Sequence, residues 1–190
     1  MKIPWKSLLY ILLSAAVSIA LLFGMEAVSD VVTEKQQTAK VKAVFGEMLE
    51  ADRYDEIETG AFASIQSAYK AYLSSGTMEG YAVTVVVKGY GGDMQVHVAV
   101  SPDTRTFIGL RVGENRETEN LGAKVALPAF TDQFDGLPAP AYLDGYTGLE
   151  KTATDDNAIE AVGGATVSSK AVVKAANIAY SFIQDLGKGV

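Results

Sequence analysis

Between Tyr81 and Val112 the chain carries three β-prone runs joined by short connections. The first, Tyr81 to Lys88, reads Tyr-Ala-Val-Thr-Val-Val-Val-Lys and is dense in residues that suit a pleated surface. Gly89-Tyr90-Gly91-Gly92 breaks it. Met94 to Val100 then alternates, with Met94, Val96, Val98 and Val100 on one side and Gln95, His97 and Ala99 on the other. Ser101-Pro102-Asp103-Thr104 is a turn, and Thr106 to Val112 supplies a third strand. Three strands so connected read as an antiparallel meander. Helical patterns on either side of it place the fold in the α+β class.

The helical pattern after the meander is the stronger one. From Lys170 to Leu186, residues Val172, Val173, Ala176, Ile178, Ala179, Phe182, Ile183 and Leu186 recur at helical spacing. It is opened by Gly163-Gly164-Ala165-Thr166-Val167-Ser168-Ser169, a bare backbone followed by hydroxyls. A small-residue turn at a helix start offers unpaired N–H groups and a positive dipole end, which suit a phosphate. The same residues also suit a tight turn and a hydroxyl cap, so on these grounds both readings stand.

Near the N-terminus, Lys2 and Lys6 flank Trp5, and Ser7 to Met25 is uncharged and mostly apolar. At ~1.5 Å per residue this run spans roughly 28 Å as a helix, close to the hydrocarbon thickness of a bilayer. Basic residues before it and Glu26 and Asp30 after it leave the N-terminus in the cytoplasm and the main domain outside. A retained single-pass anchor over residues 1–26 is favoured over a cleaved secretory signal, because the run is long and lacks a small-x-small site just after it. Residues 27–51 read as a helical stalk, apolar on one face in its second half through Val41, Val44, Phe45, Met48 and Leu49. The remaining domain is residues 52–190. Within it, Tyr54 to Gly60 reads as irregular and Ala61 to Leu73 fits helix or strand. Pro128 can open a short helix carrying Phe130 and Phe134, and Asp135 to Gly148 reads as a loop.

Composition removes several function classes. The formal net charge of −7 over 190 residues gives no electrostatic support for nucleic-acid binding. Without cysteine there are no disulfides, thiolate zinc sites or cysteine-ligated iron–sulfur clusters, so redox chemistry would need an organic cofactor. The single histidine, His97, reads as a half-buried strand residue rather than a base. Asp155, Asp156 and Glu160 lack metal-site spacing and read as a solvated acidic loop, so neither a metal site nor a catalytic residue is assigned.

The run Gly163 to Val172 resembles the flavinylation motif of the FMN-binding domain family. This family includes the G subunit of Rnf electron-transport complexes and the C subunit of the sodium-translocating NADH:quinone reductase. The usual motif is Asp-x-x-Ser/Thr-Gly-Ala-Thr/Ser; here Glu160 stands in the Asp position and Gly163 in the Ser/Thr position. Gly89-Tyr90-Gly91-Gly92 also resembles a family segment. So does Glu117-Thr118-Glu119-Asn120-Leu121-Gly122-Ala123-Lys124, where Glu119-Asn120 replaces a usual Pro-Gly. Asn can adopt the left-handed conformation that Gly would supply.

The resemblance implies an anchored α+β protein whose FMN-binding domain is an antiparallel sheet flanked by helices. It implies FMN held by a phosphodiester to Thr166, with Gly164 and Ala165 permitting close approach and Ser168 and Ser169 offering hydroxyls. Glu117, Thr118, Leu121 and Gly122 would form a loop near the isoalloxazine, and Tyr142 and Tyr146 would either stack on it or pack in the interior. A separate flavin transferase would load the cofactor. The partners implied are the other subunits of an Rnf-like ferredoxin:NAD oxidoreductase and the lipid of the cytoplasmic membrane. Two relatives of that reading are a quinone-reductase C-type subunit and a stand-alone extracellular flavoprotein. Outside it stands a non-redox, membrane-tethered scaffold, in which Gly163 to Ser169 is only a turn and cap.

Overall fold

The computed structural model of the chain describes residues 39–139 and 159–188. The expected anchor over 1–26, the stalk up to residue 38, Tyr142, Tyr146, Asp155 and Asp156 lie outside the described residues. Among the described residues no helix is long and apolar enough to cross a membrane. The chain forms two compact units, Met1–Val41 and Lys42–Val190. Of the first, residues 39–41 are described and are helical.

The second unit is built on a five-stranded antiparallel sheet in the order β1-β2-β3-β4-β5. Its strands are β1 (Arg53–Glu56), β2 (Ile65–Tyr72), β3 (Met78–Lys88), β4 (Asp93–Val100) and β5 (Phe107–Val112). The three-stranded meander expected from sequence is β3 to β5, and two further strands extend it. The stretch expected to be irregular holds β1, and the stretch that fitted helix or strand holds β2. Of the helical stalk expected over 27–51, the described part is helical over 39–45, with a turn at 46–48 in place of helix.

Register explains the core. Val83 pairs with Val98, Val85 with Val96 and Val87 with Met94, so one face of the central hairpin is a patch of buried apolar side chains. Val83, Val85, Val96 and Val98 are fully buried. Each removes apolar surface worth ~1.5–3 kcal/mol. A short helix α1 (Pro128–Thr131) starts at Pro128, whose fixed φ suits a first helical position. The long helix α2 (Thr166–Lys188) lies over β3 and β4. It turns Val172, Val173, Ala175, Ala176, Ala179, Phe182 and Ile183 into that core. Phe130 and Phe134 meet edge to face at 5.9 Å and belong to the same core. On the opposite face, the Phe45 ring stands edge-on to His97 at 5.6 Å.

Candidate functional site

Three loops meet at one end of the sheet. The β3–β4 hairpin closes there, with the Lys88–Asp93 ion pair at 2.6 Å and the Gly89 N–H donating to the Gly92 carbonyl at 2.8 Å. β5 runs out into residues 113–117, where Asn115 bridges the turn. Its Nδ2 donates to the Gly113 carbonyl at 3.0 Å, and its Oδ1 accepts the Glu117 N–H at 3.2 Å. The following turn brings the Leu121 and Ala123 N–H groups to the Thr118 carbonyl. It needs a left-handed residue, and Asn120 supplies one with φ of 62°.

The third loop opens α2. Gly164 has φ of 77°, a conformation that side-chain-bearing residues rarely adopt. Ala165 N–H donates to the Val162 carbonyl at 2.9 Å, and the first helical bond is Ser169 N–H to the Ala165 carbonyl at 2.9 Å. The helix start therefore leaves the amides of Thr166, Val167 and Ser168 without an intrahelical partner. Ser169 Oγ accepts from Val162 N–H at 3.1 Å and donates to the Ala165 carbonyl at 3.0 Å, which ties the turn to the helix.

Glu117 joins the loops. It is buried, and its Oε1 accepts the Gly91 N–H at 3.0 Å while Oε2 accepts the Ser168 hydroxyl at 2.6 Å. The backbone closes around this carboxylate. A β-carbon on Gly89 would overlap Oε1, and one on Gly122 would overlap Oε2.

Between the loops lies a cleft of about 370 Å³. Of the residues that the sequence assigned to a cofactor, Glu117, Thr118, Leu121, Gly122, Gly164, Ala165, Thr166 and Ser168 line it. Ser169 does not; its hydroxyl is spent inside the turn, so it holds the helix start rather than facing a ligand. Tyr90 and Val167 complete the lining. Sequence reasoning set Tyr90 within a family-like segment but gave it no role. Its flanking glycines were the available signal, because a tyrosine between bare backbone positions has little to pack on. It is 76% exposed.

Other features stand apart from the cleft. A larger depression of about 510 Å³ is lined by Gln66, Val86, Asp93, Gln95, Glu114, Asn115 and Arg116, with neither an aromatic ring nor a helix start. His97 is half-buried on β4 as expected, and burial lowers its pKa from the ordinary 6.5. Glu160 is exposed, and its main chain is clasped by Gln133, whose Oε1 accepts the Glu160 N–H at 2.8 Å.

Residues 89–181, which include all three loops, match the model of the FMN-binding domain family. The segment is similar to an FMN-binding domain. The chain is 36% identical over 115 residues to the G subunit of the ion-translocating oxidoreductase complex of Methanosarcina acetivorans, covering 60% of this chain and 57% of that one. It is 36% identical over 116 residues to the G subunit of the Na(+)-translocating ferredoxin:NAD(+) oxidoreductase complex of Acetobacterium woodii, covering 60% and 54%. The chain thus spans just over half the length of these curated relatives. The crystal structure of NqrC from Shewanella oneidensis shares the fold, with a TM-score of 0.53 and 24% identity over 65% of this chain and 61% of that one.

The cleft fits FMN chemically. Its volume is in the range of small-molecule sites. The open amides of Thr166, Val167 and Ser168 suit the phosphate. Tyr90, Leu121 and Val167, all exposed apolar side chains at the cleft, offer surface for the ring.

Proposed function

We propose that this chain is a covalently flavinylated electron carrier, a G-type subunit of a membrane-bound, ion-translocating ferredoxin:NAD oxidoreductase. The observation that carries the reading is the placement of Thr166. It is the first residue of α2, it is exposed, and it lines the same cleft as the 89–92 and 117–122 loops. Ser168 and Ser169 are 1% and 0% exposed, so among the hydroxyls of residues 166–169 Thr166 is the one open to a modifying enzyme.

Attachment would form a bond from Thr166 Oγ1 to the flavin-side phosphorus of a flavin dinucleotide. The pyrophosphate P–O bond breaks, the nucleoside monophosphate leaves with the bonding pair, and the hydroxyl proton passes to solvent. A separate flavin transferase supplies the catalysis, and the chain supplies an exposed hydroxyl. The esterified phosphate then lies beside the open amides, where the helix dipole favours negative charge. A flavin exchanges electrons singly or in pairs and so links ferredoxin-type and hydride chemistry. The relatives named as G subunits of such complexes support the assignment. On this reading the apolar run near the N-terminus anchors the domain on the extracytoplasmic side of the cytoplasmic membrane. There it meets lipid and the other subunits.

Intact-mass spectrometry after co-expression with a flavin transferase tests the proposal. The wild-type chain is expected to gain the mass of one FMN less one water, and Thr166→Ala to gain nothing. A wild-type chain without adduct, beside a control substrate modified in the same cells, removes the reading.

A further inference from the structure

Glu117 bonds to two segments that lie far from each other in sequence. One carboxylate oxygen takes the Gly91 N–H at 3.0 Å and the other the Ser168 hydroxyl at 2.6 Å. Its own N–H is held by Asn115 Oδ1 at 3.2 Å, so the base of the side chain is fixed as well as the tip. Gly89 and Gly122 seat bare backbone against the two oxygens, leaving no room for a methyl group at either position. Ser168 lies two residues beyond Thr166 in the same helical turn, and Tyr90 directly precedes Gly91 in the hairpin turn.

We propose that Glu117 is a positioning residue for flavin attachment. Its side chain is a strut that sets the hairpin turn and the first turn of α2 in one register, so that Thr166 Oγ1 is presented within the cleft walled by Tyr90 and Leu121. The inference rests on the reading of Thr166 as the attachment site and adds the group that orients it. The strut works by length and hydrogen-bond geometry. Asp, one methylene shorter, cannot reach both Gly91 and Ser168. Gln can: its Oε1 accepts from Gly91 N–H, and its Nε2 donates to Ser168 Oγ, because a hydroxyl accepts as readily as it donates. A role for the negative charge makes the opposite forecast, since Asp keeps the charge and Gln removes it.

The test uses the full chain co-expressed with a flavin transferase, with the adduct fraction read by intact mass at a fixed short induction. Glu117→Ala, Glu117→Asp and Ser168→Ala are expected to load about tenfold more slowly, the scale of one lost charge-assisted hydrogen bond. Glu117→Gln is expected to recover loading to within about twofold of wild type. Circular dichroism establishes that each variant is folded; if the Ala variant is not, the Asp and Gln pair decides. The strut is overturned by an Asp variant that loads like wild type, or by a Gln variant as impaired as Ala. Either result, beside a loaded wild type, leaves Thr166 as the attachment site; an unloaded wild type removes that reading itself.

Discussion

Ser168 and Glu117 are 51 positions apart in the chain, and their side chains share a 2.6 Å hydrogen bond in the interior. Both residues are buried, at 1% and 8% exposure. A hydrogen bond to a charged group in such surroundings is worth more than one at the surface, and breaking it leaves a desolvated group without its partner. The bond therefore fixes the helix start relative to the loop that follows β5. The family match begins at Gly89, next to the hairpin turn that the same carboxylate holds. The exposed helix terminus thus rests on a small buried polar network.

The room around that network is the basis of the first prediction. Gly122→Ala places a methyl group against Glu117 Oε2 and 2.8 Å from Ser168 Oγ. Overpacking of this kind costs ~1–3 kcal/mol. Gly163 is outside the left-handed region, and a β-carbon there meets nothing within 4 Å. Gly163→Ala is accordingly expected to stay within about 0.5 kcal/mol of wild type. Urea unfolding of the two variants checks the contrast, and equal stabilities would show that the enclosure of Glu117 has no energetic consequence.

The second prediction concerns pH. His97 packs against the Phe45 ring, its Nδ1 lies 3.1 Å from Thr84 Oγ1, and the backbone at Gly113 closes on its Nε2. Burial lowers its pKa below the ordinary 6.5. The unfolded chain then binds the proton more readily than the folded one. This contribution to stability is full above the unfolded pKa of 6.5 and is lost as pH falls from there toward the folded value. Asp52 and Asp103 are also lowered, by hydrogen bonds from Ser74 and from Ser101 and Arg105 respectively. Their contributions hold above the ordinary 3.8 and are lost as pH falls below it, so the loss from His97 begins at higher pH than theirs. Unfolding free energy should therefore begin to drop as pH falls through the ordinary 6.5, and His97→Gln should flatten that slope. An unchanged slope in the variant would place its source elsewhere.

The sequence made the centre of this molecule legible and its edges obscure. β3 to β5 were readable because Val83 to Val87 and Met94 to Val100 follow a strand period over an apolar core face. α2 was readable from its buried stripe of Val, Ala, Phe and Ile. β1 is Arg-Tyr-Asp-Glu, a short charged edge strand with Tyr54 alone buried, and charge at a sheet edge carries no core-facing signal. β2 buries Ala68 and Ala71 where a larger residue would have marked the face, and its pairing with β3 shifts register near both ends. In the site, the hydroxyl pair looked alike in sequence. Only the fold distinguishes Ser168, bound to Glu117, from Ser169, bound within its own turn. Glu117 itself was placed near the cofactor by resemblance, but its reach to Gly91 depends on the β3–β4 hairpin and β5 ending side by side.

Tyr90 carries the last prediction. It stands on the hairpin turn between Gly89 and Gly91, 76% exposed and lining the cleft that also holds Thr166. An aromatic ring that buries so little contributes little to folding, so Tyr90→Ala should keep stability within about 0.5 kcal/mol of wild type. Against a flavin it is far from neutral. A tyrosine stacked on an isoalloxazine quenches the flavin's fluorescence by donating an electron to its excited state, and it also shields one face of the ring. In flavin-loaded protein, Tyr90→Ala is expected to raise fluorescence per bound flavin, with the adduct still at Thr166. Tyr90→Trp should keep it quenched. The comparison needs only emission spectra normalised to flavin absorbance, and Tyr90→Ala emission equal to wild type would show that the ring lies against another wall of the cleft.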